Sequence, residues 1–133
     1  MVHPCSQLKF DRMSKKFPRA LRLRAPDDFK KIWKTGKRLS VHLIAMVVCK
    51  NNLGYPRLGV SISKKNVHSA VARNRVKRLA RETFRIRQDK LGSADIVIVG
   101  YKGIDELMPK EQYQRFNALW DVYTKQFIKP LSA

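Results

Sequence analysis

The chain reads as an α+β fold, an α/β sandwich with helices packed on one sheet. Three stretches predict it. Residues 57–63 (RLGVSIS) alternate strictly between apolar and small or polar side chains, the period of a strand with one greasy face. Residues 95–101 (DIVIVGY) are apolar on both faces, as suits a central strand covered on each side. Between them, residues 64–87 space their apolar side chains as a helix docked on a core does, so strand, helix and strand suggest a β-α-β unit.

The other elements follow in order. Residues 1–17 read as a mobile basic arm, and residues 18–129 as a single domain. In DDFKKIWKTG (27–36), Asp27 or Asp28 sits at the positive end of a helix dipole after Pro26, and Gly36 supplies a stop. Phe29 and Trp33 lie four apart and share a face; on the residues alone they read as the core of a short helix. LSVHLIAMVVCK (39–50) is rich in β-branched residues and predicts a long strand, with a bend or break that would make it two. NNLGYP (51–56) is a turn. In the strand after it, Leu58, Val60 and Ile62 point one way, while Arg57, Gly59, Ser61 and Ser63 make a small, polar, accessible face. Residues 109–128 predict a closing helix, where Tyr113, Phe116, Trp120, Tyr123 and Phe127 form an aromatic stripe that reads as core. The predicted order is α-β-β-(β)-α-β-α.

Composition narrows the function. A length of 133 residues suits one core, and 44% hydrophobic content excludes a fully disordered tail. The net charge of +19, from 29 Lys and Arg against 10 Asp and Glu, favours a strongly anionic partner, nucleic acid first and an acidic membrane surface second. No apolar run approaches the roughly 20 residues of a membrane span, and the N-terminal stretch lacks the apolar centre of a secretory signal. The arm reads as a frayed extension of a cytoplasmic protein rather than a transit peptide. Cys5 and Cys49 do not make a disulfide framework; Cys49 ends an apolar run and reads as a buried thiol in a reducing compartment.

Residues 64–87, KKNVHSAVARNRVKRLARETFRIR, carry the functional signal, with nine Lys and Arg against the one acid Glu82. With Val76 at zero on a helical wheel, Leu79, Ala80 and Thr83 fall within about 60° of it. Asn74, Arg78, Arg81 and Arg85 cluster around about 170°, in steps of four, three and four. Lys77 flanks this stripe, Arg73 and Arg75 reach out on either side, and Lys64 and Lys65 sit in the loop before it. Arginine's planar fork binds phosphate oxygens bidentately, and Asn74 could meet a base edge or a ribose hydroxyl. A merely solvated helix face mixes signs for i,i+4 pairing, and this one does not. The domain is therefore expected to bind nucleic acid.

The segments LGVSISKKN (58–66) and ARNRVKRLARE (72–82), with Arg73, Asn74 and Arg75 at the centre, resemble the signature of the bacterial ribonuclease P protein subunit. DDFKKIWKTG and IVIVGYKG sit where that family has a helix and a strand, so the resemblance spans residues 18 to about 125. It implies an RNA-binding domain that joins a large catalytic RNA, in a complex that cuts the 5′ leader from precursor tRNA. The RNA would carry the chemistry with Mg²⁺, bound mainly by the RNA. The implied fold is shared with a domain of a small-subunit ribosomal protein and includes a left-handed β-α-β crossover, against the usual hand; the spacing here does not encode that hand. On this resemblance, Lys64, Lys65, Arg73, Asn74, Arg75, Lys77, Arg78, Arg81 and Arg85 face the catalytic RNA. A cleft between the first helix and the sheet takes the leader, with Phe29 and Trp33 as stacking rings. Val47, Arg57, Ser61 and Lys102 would line that cleft. Trp33 stands where the family more often has Phe, and the aliphatic Val47 where it can place an aromatic.

No protein-borne catalytic site is expected. His3, His42 and His68 are scattered, without Cys or carboxylates at ligand spacing. Asp105, Glu106 and Glu111 read as helix-start acids, and Ser61 and Ser63 have no evident base. No metal on the protein, no small-molecule cofactor and no membrane partner are expected. Two other readings differ in class. A structural RNA-binding protein of the ribosome would share composition and fold. A DNA-binding factor would place the basic helix in a major groove, but that predicts a helix-turn-helix lead-in where this chain has a strand and a Lys-Lys loop.

Overall fold

A computed structural model describes residues 21–23 and 26–127. The expected arm of residues 1–17, with Cys5, lies outside the described residues. The first helix, α1 (Pro26–Thr35), has Asp27 and Asp28 in its first turn, where the dipole favours them. Strands β1 (Lys37–Val41), β2 (Ile44–Lys50) and β3 (Arg57–Ser61) follow. Helix α2 (Ala70–Arg85), strand β4 (Ala94–Gly100) and helix α3 (Pro109–Phe127) complete the order. The strands form one sheet in the order β1-β2-β4-β3, with β3 and β4 parallel and the other neighbours antiparallel. The predicted β-α-β unit is β3-α2-β4.

The stretch 39–50 is broken in two and folds back as a hairpin. It turns at His42 and Leu43, so that Val41 pairs with Ile44. Leu43 takes a φ of 71°, unusual for a residue with a branched side chain. It keeps that conformation because its carbonyl accepts from the Tyr101 N–H at 2.9 Å and its side chain packs on the large core.

The sheet is covered on both sides. On one face α2 and α3 bury Val76, Ala80, Phe84, Phe116, Leu119 and Trp120 against Ile44, Met46, Val48, Ile96 and Ile98. On the other, α1 presses Ile32 onto Val47 and Val97, joined by Leu23. Alternate residues of β2 and β4 thus enter opposite cores, which is why both strands read as unbroken apolar runs. Cys49 is half-buried rather than buried; its Sγ lies 3.6 Å from Thr35 Oγ1. Gly36 ends α1 without a left-handed turn. It is needed for close approach: a Cβ there would lie 2.5 Å from both the Ile32 carbonyl and Val47 Cγ1.

Polar links also cross the large core, among them one between α3 and α2. Trp120 Nε1 donates to Thr83 Oγ1 at 2.9 Å, and that hydroxyl donates in turn to the Leu79 carbonyl at 2.9 Å. The aromatic stripe of α3 is core as expected at Phe116, Trp120 and Tyr123, whereas Tyr113 is exposed. Replacing Thr83 with Val keeps the shape but removes the acceptor. Thr83→Val is expected to destabilise the fold by about 1–3 kcal/mol, the cost of a buried unpaired donor. Urea unfolding should show a lower midpoint with an unchanged slope, and Thr83→Ser should recover most of the loss.

Candidate nucleic-acid interface

Helix α2 starts where Ser69 caps it, its Oγ accepting from the Ala72 N–H at 3.2 Å. Val76, Ala80, Thr83 and Phe84 are buried, which turns the opposite side to solvent. Asn74, Arg75, Arg78 and Arg81 are exposed, and Lys77 and Arg85 half-buried. Arg85 Nη2 donates to Glu82, so the lone acid of the segment is engaged by its own helix. An open groove of about 370 Å³ runs along this side, lined by Arg22, Asn74, Arg78, Arg81, Glu82 and Arg85. A second, of about 360 Å³, lies between Val71, Asn74, Arg75 and Arg78.

The loop ahead of α2 is fastened at both ends. Asn66 Nδ2 donates to the Gly100 carbonyl at 3.1 Å, and the Asn66 N–H bonds to Ser63 Oγ at 3.1 Å. Arg73 does not reach outward as its position on the wheel suggested. Its Nη1 donates to the carbonyls of Val67 and His68, both at 2.9 Å, so it ties the loop to the first turn of the helix. Lys64 and Lys65 stand exposed on that loop.

A cleft of about 230 Å³ lies between α1, β3 and α2. Phe29 of α1 and Leu58, Gly59 and Val60 of β3 form its apolar part, and Arg22 and Arg81 its charged part. Phe29 is half-buried because its ring sits on Gly59, where a Cβ would come within 2.7 Å of Phe29 Cζ. Trp33 is 44% exposed. The inward residue of the helix is Ile32, so neither ring is the main core anchor. Ser61 and Ser63 are exposed, and Lys102 is exposed just past β4, at the end where Ser61 is in register with Val99.

Two expected cleft residues are placed otherwise. Val47 is 3% exposed beneath α1; it belongs to the small core, because Gly36 lets the chain pass directly over it. Arg57 is held by the chain's own acids. Its Nε and Nη2 donate to the two Asp95 oxygens at 2.8 and 2.7 Å, and Nη1 lies 3.7 Å from Asp28. The hydrogen bond to Asp95 also holds the guanidinium pKa above its usual value. The polar face of β3 is therefore open at Ser61, while Gly59 is roofed by Phe29.

Two residues at these grooves escaped sequence reasoning. Val71, 70% exposed, extends the row that holds Asn74 and Arg78. Its position three before Asn74 and seven before Arg78 was a readable signal. Arg22 had none, since it reaches the groove through a short parallel bridge to Leu58.

The family model for ribonuclease P matches residues 17–124. The chain belongs to the ribonuclease P protein family. The ribonuclease P protein component of Edwardsiella ictaluri is 38% identical over 110 residues, which cover 83% of this chain and 92% of that one. That of Escherichia coli K12 is 40% identical over 104 residues, covering 78% and 87%. The fold agrees. The Staphylococcus aureus RNase P protein superimposes with a TM-score of 0.74 at 26% identity, covering 78% of this chain and 95% of that one. The Thermotoga maritima RNase P protein gives 0.65 at 31%, covering 74% and 93%.

The seating of Phe29 is testable by itself. Gly59→Ala would drive a methyl into the ring, at an expected cost of about 1–3 kcal/mol. In a Phe29→Ala background the same change should cost much less, a coupling that a double-mutant cycle of unfolding free energies measures.

Proposed function

We propose that this chain is the protein subunit of a ribonuclease P ribonucleoprotein and assists removal of the 5′ leader from precursor tRNA. The observation that carries this reading is the outward row Asn74, Arg78 and Arg81 on a helix whose other side is packed core. Guanidinium forks at that spacing suit the backbone of a folded RNA, which presents phosphates and 2′-hydroxyls rather than readable base edges. We assign the catalytic RNA to this side of α2, with Lys64, Lys65, Arg75, Lys77 and Arg85 as flanking donors. Arg73 acts there chiefly by shaping the loop.

The cleft beside Phe29 is the place for the single-stranded leader. A ring seated on Gly59 offers one face to a base, and stacking tolerates any base because every base has a π-face. Trp33 gives a second ring, and Ser61 and Lys102 give polar contacts for the leader backbone. That tolerance suits leaders whose sequences vary. The Mg²⁺ of the reaction belongs to the RNA partner. Among the described residues no three His, Cys, Asp or Glu side chains gather to hold a metal ion. Among them, too, no helix is long and apolar enough to cross a membrane. The protein's part is to bind, orient and neutralise charge near the cut.

Reconstitution with ribonuclease P RNA tests this. The protein should stimulate precursor-tRNA cleavage at low Mg²⁺; no stimulation would leave the ribosomal RNA-binding reading in its place. Arg78→Ala and Arg81→Ala should each weaken assembly with the RNA and flatten its salt dependence by about 0.7–0.9 in the log–log slope per lost phosphate contact, without lowering the melting temperature. Phe29→Ala should weaken precursor tRNA by about 1–3 kcal/mol and leave mature tRNA unchanged in a binding titration.

A further inference from the structure

The groove along α2 and the cleft beside Phe29 share two lining residues, Arg22 and Arg81. These come from separate parts of the chain. Arg81 stands on α2 next to the buried Ala80. Arg22 stands on the short segment that pairs with the edge of the sheet, where the Leu23 N–H donates to the Leu58 carbonyl at 2.9 Å. Its neighbours are both buried: Leu21 in the large core, Leu23 in the small one. The backbone under each arginine is therefore fixed, while both side chains are exposed.

The two cavities differ in chemistry. The groove is lined almost wholly by polar and charged side chains, which suit a phosphate backbone. The cleft has Leu23, Phe29, Leu58 and Val60, which suit a base. An RNA strand passing from one to the other must turn its backbone toward the protein on one side and its bases on the other. The turning point falls where both cavities are walled by the same pair of guanidinium groups.

We infer that Arg22 and Arg81 form a two-arginine junction that holds one backbone phosphate of the leader as it enters the cleft. This rests on the leader reading proposed above and adds a residue to it. Arg81 then serves two RNA surfaces at once, the catalytic RNA along the groove and the substrate at its mouth. Arg22 acts on the substrate side. Two forks from separate elements can together fill the lone pairs of both non-bridging oxygens of one phosphate, which a single arginine cannot do.

The test uses the full chain assembled with ribonuclease P RNA, and precursor tRNAs in which one leader phosphate at a time is an uncharged methylphosphonate. With the unaltered protein, one position should weaken binding by about tenfold, the size of one charge-assisted hydrogen bond. In Arg22→Ala the effect of that same position should shrink, since Arg81 alone is left on the phosphate, and the variant itself should bind unmodified precursor about tenfold more weakly while binding mature tRNA normally. Arg22→Lys should recover part of the affinity, since it keeps charge but not the fork. The Arg22→Ala, Arg81→Ala double variant should lose less on precursor binding than the two single losses combined. If every methylphosphonate position has the same effect in Arg22→Ala as in the unaltered protein, or if Arg22→Ala weakens mature tRNA equally, the junction is wrong. Phe29→Ala separates the two levels of inference. Retained leader discrimination by Phe29 with none by Arg22 would sink the junction alone; none by either would sink the leader cleft with it.

Discussion

Burial of Val76, Ala80, Thr83 and Phe84 against Phe116 and Trp120 fixes which way a strongly basic helix faces. Without that contact the segment would be a cationic tail, repelled by the rest of a chain that carries +19. Each large side chain buried there contributes about 1.5–3 kcal/mol relative to exposure, which offsets the mutual repulsion of the outer row. The Thr83 hydroxyl makes the docking directional. It receives the Trp120 indole N–H and returns its own proton to the helix backbone, so the rotation of α2 about its axis is set by a hydrogen bond as well as by packing.

The opposite side of the sheet is built more sparingly. One ten-residue helix, α1, covers it, and its only fully buried side chain is Ile32. A short cover leaves part of β3 open, and the cleft is what remains uncovered. Small residues make this possible. Gly36 lets the chain cross Val47 at close range, and Gly59 lets the Phe29 ring settle onto the strand. The ion pair of Arg57 with Asp95, with Asp28 near its outer nitrogen, joins the start of α1 to the sheet edge. It holds the rim in place rather than offering a free charge.

Much of this was legible from residue spacing. The apolar run of β4 marked a central strand because both of its faces meet a core. The wheel separated the inner and outer sides of α2, although Phe84 widened the buried side beyond what Val76, Leu79, Ala80 and Thr83 suggested. Periodicity reports which face a residue occupies, not which partner it finds there. So Arg57 looked like an open cation, when its carboxylate stood 38 positions away in sequence. Arg73 looked outward, when its nearest acceptors were carbonyls of its own loop. The hairpin at His42 and Leu43 lacks the Asn-Gly or Asp-Gly pair that announces a tight turn, so its residues suggested a long strand, bent or broken, without marking where the chain reverses. Val47 followed the resemblance into the cleft, but burial depends on how closely α1 approaches, and Gly36 sets that distance.

The fastening of the loop between β3 and α2 bears on how quickly and tightly a polyanion can be seized. Asn66 and Arg73 immobilise the backbone beneath Lys64 and Lys65 during folding itself. Ordering a slack loop at the moment of contact would cost about 1–2 kcal/mol for each residue fixed. Here that loss has already been absorbed by the fold, and only the lysine side chains have motion left to surrender.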